Sequence, residues 1–133
     1  MATNLLDSDG AALVVQAGES MDVVVTFHGM DGVAIVKSNL ITVTGSLFNV
    51  DTSASINSRN AQSIKDANQA TVATDGTLTW RLGPSDAVIV GTLAVGTREK
   101  HRARIAATFS DGVLTRTVEE EFEFQVERIA SIT

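Results

Sequence analysis

The sequence predicts an all-β fold, an antiparallel immunoglobulin-like β-sandwich with one long loop, and three observations carry that expectation. Residues 98–128 read as two runs of alternating apolar and polar side chains joined by Asp111-Gly112, a favoured hairpin pair. Short runs of Val, Ile, Thr and Phe bounded by Gly, Asn and Asp recur elsewhere, and few stretches have helical period. At 133 residues, 44% of them hydrophobic, the chain is one domain of a size that buries a two-layer core unaided. The expected boundaries are an amino-terminal arm over 1–10, the Ig-like domain over 11–128 and a tail over 129–133. A small barrel is the runner-up architecture.

In chain order, a polar lead containing Leu5 and Leu6 precedes a first strand over 11–16. The next, over 21–28, sets Met21, Val23, Val25 and Phe27 on one face and Asp22, Thr26 and His28 on the other. A turn at Gly29-Met30-Asp31-Gly32 leads into a strand over 33–37. The strand over 41–50 puts Ile41, Val43 and Leu47 on one side, and Gly45 interrupts that side as a bulge or a close approach. Alternation vanishes over 51–69, a loop rich in Asn, Ser, Gln and Ala, with Ile56 and Ile64 as isolated apolar residues; 62–68 is its candidate for a short helix. Unstructured loops of that length are often functional, and the plain alternative is a crossover packed on the body. A second hairpin over 71–82 turns at Asp75-Gly76 and returns with Leu78, Trp80 and Leu82 on one face, Trp80 as core anchor. Pro84, the sole proline, ends it, and 85–96 is an irregular apolar stretch, a short strand or a wide crossover.

The long hairpin can be assigned a register. A two-residue turn at Asp111-Gly112 pairs Phe109 with Leu114, Ile105 with Val118 and His101 with Phe122 on the inner face. Outward it sets Arg104 opposite Glu119, Arg102 opposite Glu121 and Lys100 opposite Glu123. A slip of one residue would move most of the apolar set to the wrong face. Arg116 and Glu120 fall on the apolar face, so the Glu119-Glu120-Glu121 run is the expected site of a bulge that turns a carboxylate toward water.

Charge and motif content exclude more than they assign. A net charge of −6 opposes binding to a phosphate backbone, and the one basic cluster, 98–104, faces acids across the hairpin, so no nucleic-acid partner is expected. No apolar run is long enough to span a bilayer and the amino terminus lacks a signal-peptide layout, so no membrane partner is expected either. The absence of cysteine removes disulfides and thiolate zinc sites and leans toward assembly inside a cell. His28 and His101 are the only histidines and neither lies in a catalytic motif; His101, facing inward, reads as hydrogen-bonded structure. Asp7-Ser8-Asp9-Gly10 looks like half a calcium loop, but Ala11 and Gly18 stand where oxygen ligands belong. Glu119, Glu120 and Glu121 alternate in direction and converge on nothing. The expectation is a protein that is not an enzyme, with no catalytic residue, cofactor or metal.

The order of an early apolar strand with Asp-Gly, then Ile56-Asn57-Ser58-Arg59-Asn60-Ala61 and Ile64-Lys65-Asp66-Ala67-Asn68, then Thr77-Leu78-Thr79-Trp80, then the closing hairpin is similar to small Ig-like virion proteins of tailed bacteriophages. The resemblance covers residues 11–128. It implies a structural role in the virion, assembled in the host cytoplasm: a capsid decoration or cement protein that stabilises the head, or a neck, tail or upper-baseplate component. The implied partners are the major capsid protein or other virion proteins, with the chain present as a homo-oligomer or in many copies. An arm and a loop that reach neighbouring subunits would suit that role, with Leu5, Leu6, Ile56 and Ile64 as apolar anchors and Arg59 as a polar one. A glycan- or host-surface-binding module is the alternative class, for which one Trp, no Tyr and five Phe provide few aromatic platforms.

Overall fold

The alternating runs become strands in the computed structural model, which describes residues 3–4, 14–16, 18–29, 32–87 and 98–127. The strands are β1 (Thr3–Asn4), β2 (Val14–Gln16), β3 (Met21–Val25), β4 (Leu40–Asn49), β5 (Gln62–Ser63), β6 (Ala70–Val72), β7 (Leu78–Leu82), β8 (Arg98–Ser110) and β9 (Thr115–Glu127). Two 3₁₀ turns, Lys37–Asn39 and Pro84–Asp86, are the only helical pieces among the described residues, so the fold is all-β.

One sheet runs β9-β8-β4-β5, with β1 and β2 both added to the outer edge of β9; the other runs β3-β7-β6. β1 and β2 lie parallel to β9, pairing Thr3 with Phe122 and Val15 with Val126, so the larger sheet is mixed and not purely antiparallel. Both sheets feed one core, in which Val23, Phe27, Leu47, Leu78, Trp80, Ile105 and Phe124 are buried. Alternation explains the choice of residues: Val23, Val25 and Phe27 point in, while Asp22, Thr26 and His28 are exposed. Gly45 is a close approach between the sheets. A Cβ there would stand 2.7 Å from Cη2 of Trp80 and 2.9 Å from Cδ1 of Ile64, so only glycine lets the indole lie across β4.

Several expectations change. The β8–β9 register is two residues away from the expected one: Ser110 pairs with Thr115, Ile105 with Glu120, Arg104 with Glu121 and His101 with Phe124. The loop is 111–114, closed by the Asp111 N–H on the Leu114 carbonyl and by the Asp111 carboxylate, which accepts from the N–H groups of Val113 and Leu114. An aspartate able to take both amides favours the longer loop over a bare two-residue turn. Because the shift is even, every side chain keeps its face. The charged ladder survives one step along: Arg102 reaches Glu123 at 2.9 Å, and Arg104 reaches Glu121 at 3.6 Å. The pairing is continuous from Arg98 to Ser110, so no bulge forms at Glu119-Glu120-Glu121. Glu120 needs none, because that end of β9 is only half-covered.

The bulge occurs instead between Leu40 and Thr42, and it turns Ile41 outward, away from Val43 and Leu47. Residues 33–37 make no strand; Ala34 forms a single bridge to His28 before the 3₁₀ turn. No helix forms over 62–68, where Gln62 and Ser63 pair with Gly45 and Thr44, and Asp66 and Asn68 are left-handed. Their side chains satisfy backbone groups locally, Asp66 accepting from the Val72 N–H and Asn68 donating to the Ser63 carbonyl, which competes with helix. The hairpin at Asp75-Gly76 forms as expected, β6 on β7, with Trp80 fully buried. Residues 5–13, 30–31, 88–97 and 128–133 lie outside the described residues, and with them the Asp7-Ser8-Asp9-Gly10 turn, most of the irregular apolar stretch and the tail.

Candidate functional site

Of the five residues expected to touch a partner, three face inward. Ile56 and Ile64 belong to the core, and Arg59 is 4% exposed. The Arg59 guanidinium grips Asp86 with two bonds, Nε to Oδ1 at 2.5 Å and Nη2 to Oδ2 at 3.0 Å. Its remaining donors reach Gln62 Oε1 at 3.0 Å, Gln69 Oε1 at 2.9 Å and the Asn68 carbonyl at 3.3 Å, and its Cζ lies 5.3 Å from the centroid of the Trp80 ring. Asp86 in turn accepts from Asn57 Nδ2 and from the Gly83 N–H. Burial works to raise the Asp86 pKa, but the bonds from Arg59, Asn57 and Gly83 outweigh it and hold the carboxyl below its usual value. The loop is thereby fastened to its own body, and in this conformation Ile56, Arg59 and Ile64 are unavailable as surface anchors. Leu5 and Leu6 lie outside the described residues.

A second buried polar pair sits on the inner face of β8, where Glu99 and His101 are two residues apart and so point the same way. His101 Nε2 and Glu99 Oε1 are 2.6 Å apart, and the imidazole stands edge-on to Phe124 with ring centroids 5.6 Å apart. Burial pushes the histidine pKa down, Glu99 draws it part of the way back, and the net shift is downward. His101 was expected inside and is; Glu99 beside it was missed, although the same period of two marks it. With His101 fully buried, this pair is built as interior structure rather than as an open site.

The third feature is open. Among the described residues six large hydrophobic side chains are exposed; two of them, Val113 and Leu114, lie in the 111–114 loop, and Val33 lies across from that loop. β4 begins at this end, where Leu40 pairs with Phe109 next to the loop, and the exposed Ile41 follows it. Beside the loop runs a cleft of about 490 Å³, bordered by Gly29, Val33, Ile35, Asn39, Phe109 and Arg116. Asp111 and Arg116 form an ion pair at its rim, and the bonds from the Leu114 N–H, Arg116 and the Val113 N–H hold the Asp111 carboxyl far below its ordinary value. Val113 is 87% exposed and Leu114 is exposed beside it. Sequence reading assigned Leu114 to the inner face against Phe109 and so missed this end.

Among the described residues no three His, Asp or Glu side chains group as metal ligands would. The chain matches no family model, no curated protein and no solved structure.

Proposed function

We propose that this chain is a non-enzymatic structural protein of a tailed-phage virion, an Ig-like β-sandwich that decorates and cements the assembled head. The reading rests on the sequence resemblance, and the observation that supports it best is the apolar end. Exposed Val113 and Leu114 beside a cleft walled by Val33, Ile35 and Phe109 fit a surface that is covered in an assembly. The buried Arg59–Asp86 clamp fits the same role, since a cement protein must keep its shape while fixed between rigid subunits. In this reading the major capsid protein meets the 111–114 loop and the neighbouring cleft, and many copies on a symmetric shell compensate for a small contact at each.

The test is co-sedimentation of the purified full chain with assembled heads and, separately, with tails. Pelleting with heads and a higher temperature of head disruption are expected, and the paired changes Val113→Ser and Leu114→Ser should abolish pelleting while leaving the circular-dichroism spectrum intact. Heads that neither retain the protein nor gain heat resistance would overturn the proposal. Pelleting with tails alone would replace it with the neck or tail reading.

A further inference from the structure

We infer that the 51–69 loop is a strained strap latched shut by Arg59 on Asp86, and that it opens as a unit, with both sheets still folded, when the latch lets go. Among the described residues seven non-glycine residues have left-handed backbone, with φ between 52° and 70°, and all seven lie between Ser53 and Gln69. Asn57, Asn68 and Asp66 are of the types that tolerate this region; Ser53, Ser58, Ala61 and Gln69 occupy it at a cost in backbone energy that other contacts must hold. All seven are exposed, so burial of their own side chains does not impose the conformation.

The forces that hold the loop converge on one side chain. The Arg59 guanidinium ties Gln62, Gln69 and the Asn68 carbonyl, all within the loop, to Asp86 in the 3₁₀ turn after β7. Asp86 takes Asn57 from the same loop, so both ends of the left-handed stretch depend on it. Around the latch the backbone lies along β4: the Arg59 carbonyl accepts from the Leu47 N–H, and the Ile56 N–H donates to the Leu47 carbonyl. Ile56 and Ile64 are seated in the core on either side. Backbone strain therefore favours release, while one buried ion pair and two isoleucines favour closure. A segment balanced in that way opens locally, ahead of the sheets that carry it. Release brings Ile56, Ile64 and the Arg59 cation to the surface together, and closure withholds them. These are three of the side chains whose residue types suit anchors on a neighbour, so the latch decides when the loop can serve as one. The strap works in this way whether or not the chain belongs to a virion, and its opening is read without heads.

Limited proteolysis of the full chain with trypsin tests it. Trypsin must take the Arg59 side chain into its own pocket, so it cuts there only once the guanidinium has left Asp86; the fragment ending at Arg59 is followed by mass spectrometry. In the wild type that cut should be slow and nearly independent of urea at low concentration, because a local opening exposes little surface. Asp86→Asn weakens the latch and should speed the cut about tenfold or more, since cleavage tracks the population of the open form. The emission of Trp80, the sole tryptophan and a neighbour of Arg59, should shift to the red while the far-ultraviolet circular dichroism of the sheets is retained. Ser58→Gly with Ala61→Gly relieves strain at two exposed positions outside the latch and should slow the cut about threefold or more. Glycine at an unstrained position loosens a loop, so slowing by this variant reads strain and not a general effect. A cut whose rate climbs with urea as steeply as global unfolding, an Asp86→Asn chain cut no faster than wild type or with its sheets melted, or a glycine variant cut as fast as wild type would each overturn the inference.

Discussion

Two irregular segments of this molecule have opposite fates. The 51–69 loop is polar in composition yet delivers Arg59, Ile56 and Ile64 to the interior, while the 111–114 loop leaves Val113 and Leu114 in water. The difference lies in hydrogen-bond supply rather than hydropathy. Around Arg59, the carboxylate of Asp86 and the amide oxygens of Gln62 and Gln69 are all within reach, so a guanidinium can leave water with its donors satisfied. At the 111–114 loop the Asp111 carboxylate is used up on the loop's own N–H groups and Arg116, and nothing folds over the two apolar side chains among the described residues. A buried polar clamp therefore defines the fixed side of the molecule, and an uncovered apolar end its outward side.

The largest effect should come from breaking the clamp on one side only. Asp86→Ala leaves Arg59 buried and unpaired, with an expected loss of about 3–5 kcal/mol measured by urea unfolding. The joint change Arg59→Met and Asp86→Leu should cost clearly less than Asp86→Ala, because neither charge is then stranded. Equal losses in the two would mean that the loop is held by Ile56 and Ile64 and not by the ion pair. Filling the space under Trp80 is the next step down: Gly45→Ala puts a methyl group within 2.7 Å of the indole and should cost about 1–3 kcal/mol by the same measurement.

How much of this was visible beforehand follows from what each signal depends on. Period-two alternation is local, so β3, β7, β8 and β9 and the inward faces of Val23, Trp80 and Ile105 were legible. Register depends on the loop, and Asp111-Gly112 fits a short turn as well as the longer one its carboxylate prefers; the two-residue error moved partners without moving faces. Ile41 was misplaced because a bulge leaves no mark in a sequence of β-formers. Arg59 could not be placed at all, since its partner Asp86 lies 27 residues away and their meeting is a tertiary fact. β1 was hidden for the same reason, since it is defined by β9 and by no pattern of its own; β2 falls within the strand expected over 11–16, but its parallel pairing with β9 had no local mark.

The buried Glu99–His101 pair sharpens the contrast with the open end through pH. The folded-state pKa of His101 lies below its ordinary value of about 6.5, so the unfolded chain binds the proton first as pH falls. Stability should be level above that value and decline as pH drops below it, toward the lower folded pKa. Asp66 and Asp86 have lowered pKa values too, but their contribution is present above the ordinary carboxylate range and is lost only as pH falls through their folded values, well to the acid side of the histidine window. His101→Gln should therefore flatten the first decline and leave the second. A wild-type profile flat from pH 7 to 5 would contradict a buried neutral imidazole.

The smallest effect on stability, and the most telling for function, belongs to the 111–114 loop. Val113→Ser with Leu114→Ser removes apolar surface that is exposed in the single chain, so the unfolding free energy should change by no more than about 0.5 kcal/mol. If the double variant instead unfolds several kcal/mol earlier, the loop is packed against residues of its own chain, and the division into a clamped side and an outward end does not hold. If it is neutral, solubility should rise in parallel, because exposed apolar side chains promote non-specific association.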